Sequence, residues 1–120
     1  MAVRYAAGAA DERPWGRWEV LATGEGYCVK RITVRPGQRL SFQRHRYRRE
    51  HWTVVAGRAR VRLEDDLLEL GPNGHVFIPL GARHRIENIG RDDLVFIEVQ
   101  TGELLDEEDI ERLEDVYGRI

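Results

Sequence analysis

Residues 40–52 read LSFQRHRYRREHW and set one Gln, two His and one Glu among four Arg. Two chemistries fit such a stretch. A basic patch would take phosphate or nucleic acid. An amide oxygen, an imidazole and a carboxylate held together would take a divalent metal and a small substrate. The second reading needs another imidazole, and His84 supplies one almost forty residues beyond His45. Gln43, His45, Glu50 and His84 are therefore the candidate metal ligands. Zinc accepts His and Glu in tetrahedral geometry. Manganese, iron or nickel would take the same nitrogen and oxygen set with open positions. The alternative for Glu50 is a hydrogen bond to His45 only.

These residues must be positioned by strands. β-Branched and aromatic runs occur at 18–23, 27–34, 40–45, 51–57, 59–64, 75–79, 83–88 and 94–100. Pro36-Gly37, Gly57, Pro72-Asn73-Gly74 and Gly81 punctuate them. Short strands at this spacing predict an antiparallel sandwich or barrel. Strand side chains alternate between faces. Gln43 and His45 then share a face, as do Glu50, Trp52 and Val54, and His84, Ile86 and Asn88. If those faces point inward, a polar site sits at the mouth of an apolar pocket. Leu40 and Phe42 fall on the opposite face, where a second subunit could cover them. His51 also falls there and reads as structural or interfacial.

The ends differ from the middle. The first dozen residues read as a flexible amino-terminal arm, leaving 13–120 as a single domain. The acidic tail LDEEDIERLEDVYGR places Ile110 and Leu113 at helical spacing. With Asp106 as cap and Asp109 three places on, it predicts a short carboxy-terminal helix.

Bulk numbers exclude several classes. A chain of 120 residues with 42% hydrophobic and 33% charged residues is ordinary for one globular domain. The net charge of -2 gives no global attraction to nucleic acid or anionic membrane, although 18 of the 19 basic residues are Arg. No nucleic-acid recognition motif appears. Cys28 is the only cysteine, so no internal disulfide forms, and a reducing, cytoplasmic setting is the simplest expectation. No stretch approaches the roughly 18–20 apolar residues of a membrane-spanning helix.

The sequence also resembles a known family. Gly37, His45, Glu50 and Gly57 are spaced like the first motif of the cupin superfamily, and Gly74, Pro79, Gly81, His84 and Asn88 resemble the second, with its leading glycine one place late at Gly74. Gln43 stands where most cupins have the first His of His-x-His. The closer resemblance is to the type II mannose-6-phosphate isomerase domain. That domain usually forms the carboxy-terminal cupin of a bifunctional mannose-1-phosphate guanylyltransferase/isomerase. RPWGRWEVL (13–21), YCVKRITVRPGQRLSFQRH (27–45), EHWTVVAG (50–57), VFIPLGARHRIEN (76–88) and the tail from 97 to 119 carry it. The departure is RYRR at 46–49, where the family often has a His-rich run. No nucleotidyltransferase part is expected within these residues.

The resemblance implies an all-β cupin double-stranded β-helix, a jelly-roll β-barrel, with one divalent metal, zinc first. It implies interconversion of mannose 6-phosphate and fructose 6-phosphate through a cis-enediol, and a homodimer. Such a reaction needs a base and a phosphate anchor as well as a metal. Lys30 and Glu98 are the candidates for the base; their bland alternatives are a surface lysine and a cross-strand salt bridge. Arg85, Arg46 and Arg48 are the candidates for phosphate, because guanidinium binds oxygens in a bidentate fork. Strand parity turns Arg85 away from the interior. The competing outcomes are a cupin that binds metal or sugar without turnover, and an enzyme acting on another small carbohydrate.

Overall fold

Alternation of polar and apolar residues builds this chain. In the strand Tyr27–Val34, Cys28, Lys30, Ile32 and Val34 are buried while their neighbours face outward or lie half-buried. The same period runs through Arg48–Ala56 and Leu94–Gly102. The computed structural model describes residues 2–119. Its strands are β1 (Ala2–Val3), β2 (Ala10–Arg13), β3 (Gly16–Gly24), β4 (Tyr27–Val34), β5 (Phe42–Arg44), β6 (Arg48–Ala56) and β7 (Ala59–Leu63). They continue as β8 (Asp66–Leu70), β9 (His75–Ile78), β10 (His84–Asn88), β11 (Leu94–Gly102), β12 (Leu104–Leu105) and β13 (Glu111–Glu114).

Two sheets enclose the core. One has the order β2-β3-β4-β11-β6-β9 and the other β13-β5-β10-β7-β8. Their inner faces meet over Trp52, Phe96, Ile78, Ile86, Leu94 and Val54, each at most 2% exposed. Full burial of an apolar side chain of this size contributes about 1.5–3 kcal/mol. This is the all-β double-stranded β-helix, with no helix among the described residues. Nothing in them is helical, long and apolar enough to cross a membrane.

Three expectations change. The tail is not helical. Residues 111–114 form β13 and pair antiparallel with β5, with Arg112 opposite Gln43 and Glu111 opposite Arg44. Asp109 does not cap a helix: its carboxylate accepts the backbone N–H groups of Arg46 and Tyr47. Tertiary pairing has overridden a weak local propensity. Second, the expected loose arm is tied at two points. β1 pairs with β12 in parallel, and β2 pairs with β3. Third, β8 is an additional strand. It follows a tight turn in which Glu64 takes φ 54°, and its outward Leu67 and Leu68 hide the alternation that would mark it.

The expected exposed pair is also covered. Phe42 is 3% exposed, with the Arg62 guanidinium 4.0 Å above its ring. Leu40 precedes β5 and packs against the core. The exposed apolar pair is thus no ground for a homodimer, and the expectation rests on the family resemblance alone.

Candidate metal and substrate site

Cross-strand register assembles the interior polar cluster. In the larger sheet Glu98 of β11 lies between Lys30 of β4 and Trp52 of β6. One row further, Gln100 lies between Cys28 and Glu50. In the facing sheet His84 of β10 pairs with Gln43 of β5. His45 follows β5 immediately. All of these side chains are buried.

His45, Glu50 and His84 bring one ligand atom each within 4.8 Å of one another. His45 Nε2 lies 3.0 Å from Glu50 Oε2, and His84 Nε2 lies 3.8 Å from Glu50 Oε1. Each ring is fixed from behind by a backbone carbonyl. His45 Nδ1 faces Asp109 O at 2.6 Å, and His84 Nδ1 faces Ala82 O at 2.9 Å. A carbonyl only accepts, so both Nδ1 atoms donate and both Nε2 atoms turn inward. That is the usual arrangement behind a metal-ligating imidazole.

Three observations test the fit to a metal. His84 Nε2 is buried and has no hydrogen-bond partner. Burial, above all, lowers the His84 pKa to about 4, so the ring is neutral at pH 7 as a ligand must be. His45 Nε2 and Glu50 Oε2 are too close to face each other as bare lone pairs; a proton or a metal ion between them resolves this. Burial opposes charge on Glu50, but His45 and Arg48 outweigh it and hold the carboxyl well below its ordinary range. Two nitrogens and one carboxylate suit a borderline divalent ion.

Gln43 is beside the cluster, with Nε2 3.4 Å from His45 Nε2 and Oε1 accepting from Ser41 Oγ at 2.7 Å. Exchange of the amide oxygen and nitrogen would turn Oε1 to the metal position, and the Ser41 hydroxyl serves either arrangement.

Arg48 is at the centre of the cluster. Its Nε donates to Glu50 Oε2 at 2.8 Å and Nη1 to Asp106 O at 3.1 Å, while Nη2 lies 3.3 Å from His45 Nε2. Arg46 is exposed and lies with Leu80 and Asp109 around an outer hollow. Arg85 is turned away from the interior, as parity requires. Its guanidinium donates to Leu40 O and Glu114 O.

Lys30 and Glu98 both line the inner cavity. Lys30 Nζ donates to Glu107 Oε2 at 3.1 Å and stands 4.0 Å over the Tyr5 ring and 4.5 Å over Trp18. Glu98 accepts from Trp52 Nε1 at 3.0 Å and from Gln100 Nε2 at 2.9 Å. Trp52 Nε1 also donates to Glu50 at 3.0 Å, so one indole joins the two carboxyls. Burial first, then Glu50, raises the Glu98 pKa to about 8. A cation bound beside Glu50 would oppose that rise.

Sequence reading missed Tyr5 and Glu107. Tyr5 donates its hydroxyl to Glu107, and burial pushes the phenol pKa far up. The two stand 102 residues apart, one in the supposed arm and the other in the supposed helix, so no local signal joins them.

A double-stranded β-helix with His, His and Glu turned into its interior defines a cupin with a candidate metal centre. The structural likeness agrees. The capsular polysaccharide assembling protein CapF from Staphylococcus aureus aligns with a TM-score of 0.76 at 24% identity, covering 89% of this chain and 32% of that one. A Lactobacillus farciminis oxalate decarboxylase aligns with a TM-score of 0.75 at 20% identity, over 88% and 33%. Such identities establish the fold alone. The chain belongs to the family described as mannose-6-phosphate isomerase C-terminal, whose model matches residues 5–115. It is 52% identical over 108 residues to the mannose-1-phosphate guanylyltransferase ManC of Salmonella typhimurium, covering 90% of this chain and 22% of that protein. It is 50% identical over 107 residues to the alginate biosynthesis protein AlgA of Pseudomonas aeruginosa, covering 89% and 22%. The chain thus spans under a quarter of the length of these relatives.

Proposed function

We propose that this cupin is a metal-dependent aldose–ketose isomerase that interconverts mannose 6-phosphate and fructose 6-phosphate. The observation that carries the reading is the junction at Trp52. Its indole joins Glu50, one of three converging ligand residues, to Glu98, a buried carboxyl that lines the cavity. Family membership supports the substrate.

His45, Glu50 and His84 would hold the ion, with Gln43 as a fourth ligand after amide exchange; zinc suits the set best. When bound, the ion polarises a carbonyl and stabilises negative charge on oxygen. The chain's own residues do the proton chemistry. In the aldose-to-ketose direction the Glu98 carboxylate removes the C2 proton, and the electron pair forms the C1–C2 double bond as the C1 carbonyl oxygen takes a proton. The resulting cis-enediol loses its O2 proton to solvent, which also supplied the O1 proton, and C1 takes a proton from Glu98 after that carboxyl has exchanged with solvent. Atoms balance with no co-reactant. Lys30, whose Nζ already donates to Glu107, lines the same cavity and in this scheme donates to the enediol oxygens.

The test is conversion of mannose 6-phosphate by protein reconstituted with metal, with bound metal measured by elemental analysis. Turnover that disappears in Gln43→Ala and His84→Ala is the expected result. Stoichiometric metal with no conversion contradicts the reading.

A further inference from the structure

The first-expected phosphate anchors are poorly placed: Arg85 points outward, Arg46 lies on an outer hollow, and Arg48 is held by Glu50. The cavity has other cations. Its enclosed volume is about 50 Å³, and its lining includes five cationic side chains against two carboxyls. Lys30 and Arg48 belong to the deep cluster. The other three are Arg13, Arg112 and Arg119.

The tail strand places Arg112. Glu111 pairs with Arg44 in register, and their side chains form a two-point ion pair at 2.9 and 3.2 Å on the outer face. Parity then turns Arg112 inward beside Gln43, its register partner. The three arginines differ in what they have left to offer. Arg119 spends Nε and Nη2 on the Asp115 carboxylate. Arg13 donates Nη1 to Asp11. Arg112 makes no salt bridge among the described residues, and its Nε is buried without a hydrogen-bond partner. Burial, then Arg119 among its neighbours, disfavours its charge. Arg112 is half-buried, with Arg119 and Arg13 near it as like charges and Asp115 and Glu107 as opposite ones, and Asp115 is already bonded to Arg119; its unpaired guanidinium is a site that an anion would stabilise. Glu107, the nearby carboxylate of the lining, is already taken by Lys30 and Tyr5.

We propose that Arg112, flanked by Arg13 and Arg119 at the cavity mouth, binds the phosphate of the substrate and so sets selectivity for phosphorylated over free sugars. This rests on the sugar-phosphate reading for the identity of the ligand. The sugar carbons would then extend toward Glu98 and Gln43 of the lining, and the cavity must widen to seat them.

The probes are inorganic phosphate, a hexitol 6-phosphate, which has no carbonyl to isomerise, and the unphosphorylated hexitol. Binding to the metal-loaded full chain is measured by calorimetry, with Tm and metal content checked in each variant. The phosphorylated hexitol should bind and the free hexitol should not. Arg112→Ala should weaken the phosphorylated hexitol about tenfold or more, and Arg112→Lys less, because lysine keeps the charge but not the fork. Arg46→Ala should change nothing. Arg112→Lys serves as the test if the alanine variant fails to fold, since it alters donor geometry and not charge. Unchanged affinity in the Arg112 variants, equal loss in Arg46→Ala, or no phosphate binding at all overturns the assignment. Lost phosphate binding with intact turnover would sink the clamp and leave the isomerase. Arg112-dependent binding without turnover would do the reverse.

Discussion

Arg48 donates to the same oxygen of Glu50, at 2.8 Å, that lies 3.0 Å from His45 Nε2. A guanidinium and a metal ion would therefore compete for one carboxylate. Arg48 must give up or share that contact when an ion binds.

Removing the competitor should favour the metal. Arg48→Met keeps length and apolar bulk but frees Glu50 Oε2 and deletes a neighbouring positive charge. Metal affinity should rise about tenfold, a change of about 1.4 kcal/mol, measured by competition with a chromogenic chelator. Affinity that falls would show that Arg48 supports the ligands instead of opposing the ion.

Glu98 and the ligand cluster should separate cleanly. Glu98→Gln keeps the Trp52 bond through the amide oxygen and removes the base. Turnover should drop by about 10²–10⁴, the usual worth of a positioned base, with metal stoichiometry unchanged. Parallel loss of metal would make Glu98 part of the metal shell.

Gly102 fixes where Arg48 can lie. It is the register partner of Arg48 across β11 and β6. A Cβ at this position would overlap the Tyr47 carbonyl oxygen and come within 2.9 Å of Arg48 Cα. Gly102→Ala should cost about 1–3 kcal/mol, in the range for overpacking, and shift the start of β6, which carries Arg48. Urea unfolding measures the cost, and an unchanged midpoint would contradict this packing.

Asp115 governs acid stability of the tail. Its carboxylate accepts the Arg119 guanidinium and the backbone N–H groups of Tyr117 and Arg119, and these bonds lower its pKa from 3.8 to about 2. A depressed carboxyl pKa stabilises the fold above the unfolded value, and the gain is lost as pH falls through the folded one. Asp115→Asn should therefore be less stable than the parent above about pH 4, with the gap closing toward pH 2. Thermal melts across that range measure it. A gap that widens in acid would reverse the sign.

Much of this site was legible in residue order. The Gln43/His45 parity, the Glu50/Trp52/Val54 face and the His84/Ile86 face all point inward as alternation requires, and the 27–34 strand has the boundaries its β-branched run suggests. The tail was not legible. Asp106, Asp109, Ile110 and Leu113 satisfy local helical rules, yet Asp109 clamps the Arg46–Tyr47 backbone more than 60 residues away. Arg112 owes its place at the cavity to pairing with β5, which no window of the tail contains. Tyr5 and Glu107 were hidden for the same reason: their chemistry exists only after distant ends of the chain meet at Lys30.

Proton transfer through a cis-enediol, as proposed for the metal-loaded cupin, leaves solvent hydrogen on the product carbon. The most direct measurement is the isomerisation of mannose 6-phosphate in D₂O, followed by NMR with the metal-reconstituted chain. Fructose 6-phosphate should carry solvent deuterium at C1, with both conversion and labelling lost in Glu98→Gln. Stoichiometric metal with neither conversion nor labelling would contradict it.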